Sequence, residues 1–149
     1  MMEHEHPKLD GFKVTVSIPC EYGDMDVQGH INNVHFIKYF QNARVAYLEQ
    51  VGYIEEYLAT GIGVVVATVF CRFLKPIKYP DVVLVGVRIT QLESDRFTMS
   101  YQLVSRDLNE VIATGETLMV SFDTKNKKKV EIPEKPYLAI VALEGKIIK

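Results

Sequence analysis

Cysteine is scarce in this chain: its 149 residues include two, Cys20 and Cys71, in no C-x-x-C spacing. That excludes a disulfide-stapled scaffold, and both thiols read as free and buried. Neither sign of charge dominates, with 17 Lys and Arg against 19 Asp and Glu and a net charge of −2. A nucleic-acid-binding domain calls for a strong basic excess, so that class is disfavoured. No apolar run approaches the roughly 20 residues that cross a bilayer. The opening residues MMEHEHPKLD have neither the basic start nor the apolar stretch of a secretion signal. Internal repeats, long linkers and zinc, haem or nucleotide motifs are missing too, and His4 and His6 in the leader make no ordered metal site. The expectation is a single cytoplasmic domain over 1–149 with no metal or cofactor. A polar leader would occupy 1–11 and a C-terminal tail about 134–149.

What is present is ordinary globular material. Hydrophobic residues make up 48% and charged residues 24%, and a chain of this length buries about 68–70% of its unfolded surface. Phe12, Val14, Val16 and Ile18 alternate with Lys13, Thr15 and Ser17, the period of a strand with one buried face. A polar loop with two glycines follows from Glu21 to Gly29. A helical pattern then runs from about Asn33 to Val51, with Asn32 as N-cap and Gly52 as terminator.

That helix has an unusually broad apolar surface. Phe36, Phe40, Ala43, Tyr47, Val51 and Ile54 share one stripe, with Tyr39 and Ala46 on one flank and Ile37 and Leu48 on the other. The arc spans about 200°, twice the width of an ordinary surface helix, so something must wrap it. At 1.5 Å per residue the rod is about 28 Å long, enough to cross a small domain.

The remainder reads mostly as strand. Val64 to Phe73 is β-branched and almost continuously apolar, the pattern of a central strand. Pro76, Pro80 and Asp81 punctuate the approach to a strand over Val82 to Thr90. Phe97, Met99, Tyr101 and Leu103 alternate with polar residues in another. After a turn at Asp107 to Glu110, Ile112, Thr114, Glu116, Leu118, Val120 and Phe122 share one face of a last long strand, with Gly115 on the other. Leu138 to Leu143 fits either a short strand or a helical tail. One strand, a long helix and four strands in a meander define an α+β fold: an antiparallel sheet of about five or six strands wrapped around one long central helix.

The densest polar cluster is Tyr22-Gly23-Asp24-Met25-Asp26-Val27-Gln28-Gly29-His30-Ile31-Asn32-Asn33, between a strand and a helix N-terminus. A helix start offers free N–H groups and the positive end of the dipole, which suits a developing oxyanion. A carboxylate beside it can serve as nucleophile or as general base on water. Acids and amides in a glycine-containing loop are equally the ordinary vocabulary of turns and caps.

This stretch, continued through Val34-His35-Phe36, Tyr39-Phe40 and Ala43-Arg44, resembles the hotdog-fold acyl-CoA thioesterases of the 4-hydroxybenzoyl-CoA thioesterase type. Phe73-Leu74-Lys75-Pro76-Ile77-Lys78-Tyr79-Pro80-Asp81 is similar to the family's second signature, and Val130-Glu131-Ile132-Pro133 to its closing segment. The likeness spans about residues 12 to 136.

The resemblance implies a hotdog fold, a homodimer with sheets joined edge to edge, or a homotetramer built from two dimers, and sites shared between subunits. It implies hydrolysis of an acyl-CoA thioester, with an acyl carrier protein as a further partner. Carried over by position, the catalytic carboxylate is Asp26 and the polarising backbone N–H is that of Asn33. His30 becomes a loop-ordering partner near substrate and Asn32 the cap beside it. Lys75 and Lys78 are candidates for coenzyme A phosphates, since lysine binds phosphate as a point charge. The cluster Lys125, Lys127, Lys128 and Lys129 reads first as a solvated loop.

The chain also departs from the family. Gln41 stands where a helix acid is common, His35 and Pro80 occupy positions usually filled otherwise, and Gln41 cannot act as a base. The alternative is therefore a non-catalytic protein of the same fold that binds acyl-CoA or an acyl carrier protein. A hydratase is a poorer match, because Asp26 and His30 are wrongly spaced for its acid–histidine pair.

Overall fold

The computed structural model describes residues 5–145; His4 and the last four residues of the tail lie outside them. The chain runs β1 (Val14–Pro19), α1 (Val34–Gln50), α2 (Tyr53–Thr60), β2 (Ile62–Phe73), β3 (Val82–Leu92), β4 (Arg96–Ser105), β5 (Glu110–Asp123), the two-residue β6 (Lys128–Lys129) and α3 (Glu134–Glu144). The sheet is antiparallel in the order β1-β3-β4-β5-β2, with β6 attached to β5. It curls around α1, and Phe36, Tyr39, Phe40, Ala43, Tyr47, Leu48 and Val51 are buried in the resulting core. The broad apolar arc thus has its explanation, except that Ile37 stays exposed and Ala46 and Ile54 are half-buried.

The structure corrects one expectation and adds to two others. β2 is not central but sits at the edge of the sheet, because β3, β4 and β5 alone form the meander and β5 returns to pair with β2. Its register runs Ile62↔Asp123 to Phe73↔Ala113, broken by a bulge near Ala67. Val65, Val66, Val69, Phe70 and Phe73 are exposed as a result. Secondly, Gly52 does end α1, but its left-handed φ of +80° redirects the chain straight into α2, which closes on Gly61 at φ +82°. Thirdly, the helix-facing side of β5 is Ala113, Gly115, Thr117, Met119 and Ser121, all buried, while Glu116 on the other side is exposed.

Two tyrosines explain why Thr117 and Ser121 stand on the helix-facing side of β5. Thr117 Oγ1 pairs with Tyr101 Oη at 2.8 Å, and Tyr53 Oη donates to Ser121 Oγ at 2.9 Å, so both β5 hydroxyls are buried without penalty. A polar residue with a built-in partner reads as surface in a hydropathy pattern and behaves as core.

The tail is helical. Two contacts fasten the end of α3: Tyr47 Oη donates to Glu144 Oε2 at 2.5 Å, and the Ile89 N–H donates to the same oxygen at 2.9 Å. The pairing with β1 extends only to Val87, so Glu144 supplies the acceptor that β1 does not reach. Among the described residues, no helix is long and apolar enough to cross a membrane.

Candidate active site

The loop between β1 and α1 is a miniature hairpin. Tyr22–Asp24 form a 3-10 turn, Met25 bridges Ile31, the Asp26 N–H donates to the His30 carbonyl at 2.8 Å, and the Asn32 N–H donates to the Asp24 carbonyl at 2.9 Å. Gly29 closes the turn at φ +78°, a conformation glycine adopts without strain. Asp26 is the organising side chain: its Oδ1 accepts the Gln28 N–H at 2.9 Å and the His30 N–H at 3.4 Å. The other carboxylate oxygen has no donor among the described residues. The hairpin is tied to the second motif by the Ile31 N–H, which donates to the Ile77 carbonyl at 2.8 Å.

Asn32 behaves as expected of a cap, its Oδ1 accepting the Val34 N–H at 3.3 Å, and Asn33 already has helical dihedrals. The carbonyls of Asn32 and Asn33 receive the N–H groups of His35 and Phe36. The Asn33 N–H itself meets no acceptor among the described residues. It is one of the orphan donors at the positive end of α1.

The second motif leaves β2 beside this donor. Leu74 and Lys75 both donate to the Ile112 carbonyl, at 2.9 and 3.2 Å. Ile112 is the extra residue of a bulge in β5, between the pairs Val104↔Val111 and Leu103↔Ala113. The exit of β2 is thus held to that bulge by two hydrogen bonds.

A cleft of about 360 Å³ forms between the two segments. Asp26, His30, Asn32 and Asn33 line it together with Phe36 and with Phe73 to Pro76 of the second motif. The Phe36 and Phe73 rings lie 5.3 Å apart, so part of the lining is aromatic. A larger hollow of about 780 Å³, between residues 5–15 and the Ala46–Gln50 side of α1, contains none of the motif residues.

The structure therefore brings Asp26, Asn33, His30, Asn32 and Lys75 to one cleft. Lys78 is exposed and does not line it. Lys75 is paired with Glu110, which the sequence pattern did not reveal because the partners are 35 residues apart. The sequence likewise hid the role of His35, whose Nε2 lies 3.6 Å from Asp24 Oδ1. Gln41 is exposed on α1, while Arg44 reaches inward and donates to Tyr101 Oη at 3.3 Å.

Neither thiol belongs to the chemistry. Burial raises Cys20, which accepts a weak bond from Tyr39 Oη at 3.7 Å, and burial pushes Cys71 up to about 11. Thiols held protonated are poor nucleophiles. Among the described residues no cluster of His, Cys, Asp and Glu is arranged to hold a metal ion.

A curled antiparallel sheet around one long helix, with an acid-bearing hairpin feeding that helix, defines the hotdog class. Within it the chain belongs to the Thioesterase-like superfamily, whose family profile matches residues 20–140. It is 30% identical over 115 residues to a protein of Aquifex aeolicus (strain VF5) provisionally named an esterase, covering 76% of this chain and 87% of that one. A 25% identical match to the L-carnitine dehydrogenase/betainyl-CoA thioesterase of Agrobacterium fabrum covers 74% of this chain but only 23% of that longer protein. Among solved structures it is similar to a thioesterase from Thermus thermophilus crystallised with coenzyme A and zinc. That match has 29% identity and a TM-score of 0.81, over 93% of this chain and 99% of the other.

Proposed function

We propose that the protein hydrolyses acyl-CoA thioesters in the manner of the 4-hydroxybenzoyl-CoA thioesterase type, with Asp26 and the Asn33 N–H as the reacting pair. One observation carries this reading: Asn33, whose N–H meets no acceptor among the described residues, and Asp26, whose second carboxylate oxygen meets no donor among them, line the same cleft.

The thioester carbonyl oxygen would lie against the Asn33 N–H, which gains strength as negative charge develops there. Asp26 then either attacks the carbonyl carbon, forming an anhydride that water cleaves, or draws a proton from water as the water attacks. Both routes release the free acid and the coenzyme A thiol, and neither needs a cofactor. The two loop N–H groups on Oδ1 fix the carboxylate's direction, so little reorganisation accompanies the step. Lys75 would exchange its exposed partner Glu110 for a phosphate of the substrate. A second copy pairing along β2 would cover the apolar edge and close the open side of the cleft, as unpaired strands invite. The departure at Gln41 favours a second reading, binding of acyl-CoA or an acyl carrier protein without turnover.

The test is thiol release from short, long and aromatic acyl-CoAs. Asp26→Asn should lower kcat by about 10²–10⁴-fold with KM little changed. Asn33 has φ −50°, which proline also adopts. Asn33→Pro should therefore cost about 10²–10³-fold by deleting one donor, whereas Asn33→Ala, which keeps the N–H, should remain active. Full activity in Asp26→Asn overturns the assignment, and calorimetric binding of acyl-CoA with no thiol released by the unaltered protein establishes the second reading.

A further inference from the structure

We infer that the outer face of the sheet carries an oxyanion site, a trough between Arg72 and Arg88 that takes a phosphate or carboxylate group. It shares no lining residue with the cleft and does not depend on the thioesterase reading.

Side chains two residues apart on a strand share a face, and two neighbouring rows of them cross the side of the sheet turned away from α1. One row runs Arg88, Ser100, Glu116 and Phe70 over β3, β4, β5 and β2, and the next runs Gly86, Gln102, Thr114 and Arg72. The two arginines stand three strand spacings apart, about 14 Å between backbones. The short side chains of Ser100 and Thr114 leave the space between them open, as a trough of about 500 Å³ that both arginines line.

Arg88 is held ready for a ligand. Gly86 has no side chain, and the Phe12 ring fills that place: a methyl group there would lie 2.6 Å from the ring. The Arg88 guanidinium lies over the same ring, 4.5 Å from its centroid, a cation–π contact that fixes its position. Its Nε is the one buried side-chain nitrogen or oxygen among the described residues with no hydrogen-bond partner. Neither Arg88 nor Arg72 joins an ion pair among the described residues. A guanidinium that has lost water without gaining a partner is costly to the fold. An oxyanion on its terminal N–H groups offsets that cost through charge-assisted, two-pronged hydrogen bonds.

Glu116 lines the trough as well, but two guanidiniums stand against its single carboxylate, so the trough is positive by one charge. That excess selects an anion. The hydroxyls of Ser100 and Thr114 supply donors for its remaining oxygens. Phosphate and carboxylate share this recognition, and the exposed Phe70 ring at the end of the first row offers an apolar surface to the body of an organic acid.

The experiment labels arginine with nitrogen-15 and follows the Arg88 Nε–H resonance while inorganic phosphate or benzoate is added, with chloride holding the ionic strength constant. The resonance should move saturably, with a midpoint on the order of millimolar. The probe with the lower midpoint names the group that the trough prefers. Arg72 and Glu116 are exposed, so their replacement spares the core. Arg72→Gln should raise the midpoint about threefold and Glu116→Gln should lower it by a similar factor, the size of one exposed charge interaction. Asp26→Asn should leave it unchanged, which keeps the result apart from the thioesterase reading. A resonance that saturates with neither probe, a midpoint indifferent to Arg72 and Glu116, or one that moves with Asp26 overturns the site. Saturation by added protein alone would mean that a second copy fills the trough, and overturns it too.

Discussion

At Gly115 the Phe40 ring of α1 packs directly onto the backbone of β5. A methyl group built there would lie 2.3 Å from the Phe40 ring and 2.7 Å from the Phe70 carbonyl oxygen, and the second of these atoms is backbone. Phe40 is itself stacked on Tyr101, with centroids 4.5 Å apart, so it has no free direction in which to retreat. Gly115→Ala should therefore destabilise the fold by about 1–3 kcal/mol, as overpacking does. The melting temperature would drop by roughly 2–4 °C for each kcal/mol. Scanning calorimetry against the wild type checks this, and an unchanged melting temperature would show that α1 can shift. At the same scale, the candidate reacting residues are legible in the sequence because Asp26, Gly29, Asn32 and Asn33 form one contiguous motif. Partnerships across the fold are not: nothing in the spacing pairs Lys75 with Glu110, or tells that His35 turns back toward Asp24.

β2 shows what a strand's composition records and what it omits. Its valines specify burial on both faces, the pattern of a central strand, yet it lies at the rim of its own sheet. The sequence states how much cover a strand wants without saying which chain supplies it. α1 is legible because its period and its terminating glycine are local. α2 is not, since Gly52 signals an end while its positive φ makes a corner. If a second copy covers β2, a charge on the bare edge should prevent it. Val69→Lys should shift the protein from dimer to monomer in light scattering. It should also lower thiol release at least tenfold, because the open side of the cleft would lose its cover. A monomeric wild type of full activity would contradict this.

For the molecule as a whole, buried phenols set the alkaline limit. Burial holds Tyr39 and Tyr47 well above the ordinary range for a phenol, raises Tyr101, and pushes Tyr53 up to about 12. In the unfolded chain phenols titrate near 10, so above that pH the folded state binds more protons than the unfolded one. The stability these groups contribute is complete below about pH 10 and is lost as pH rises through their folded values. Melting temperatures should hardly change from pH 7 to 9 and fall increasingly above about 10. Tyr53→Phe should fall less steeply, and an equal slope would mean that the ring titrates freely in the fold.

The strand order has a consequence in time. β2 is synthesised before β3 and β4, yet its one neighbour in the sheet among the described residues, β5, begins at residue 110. Until then a Val-rich ribbon waits with both flanks bare, and closing so distant a pairing is slow compared with forming hairpins. The hazard for this chain therefore falls during assembly, when adhesive ribbons on nascent molecules can find each other before β5 arrives.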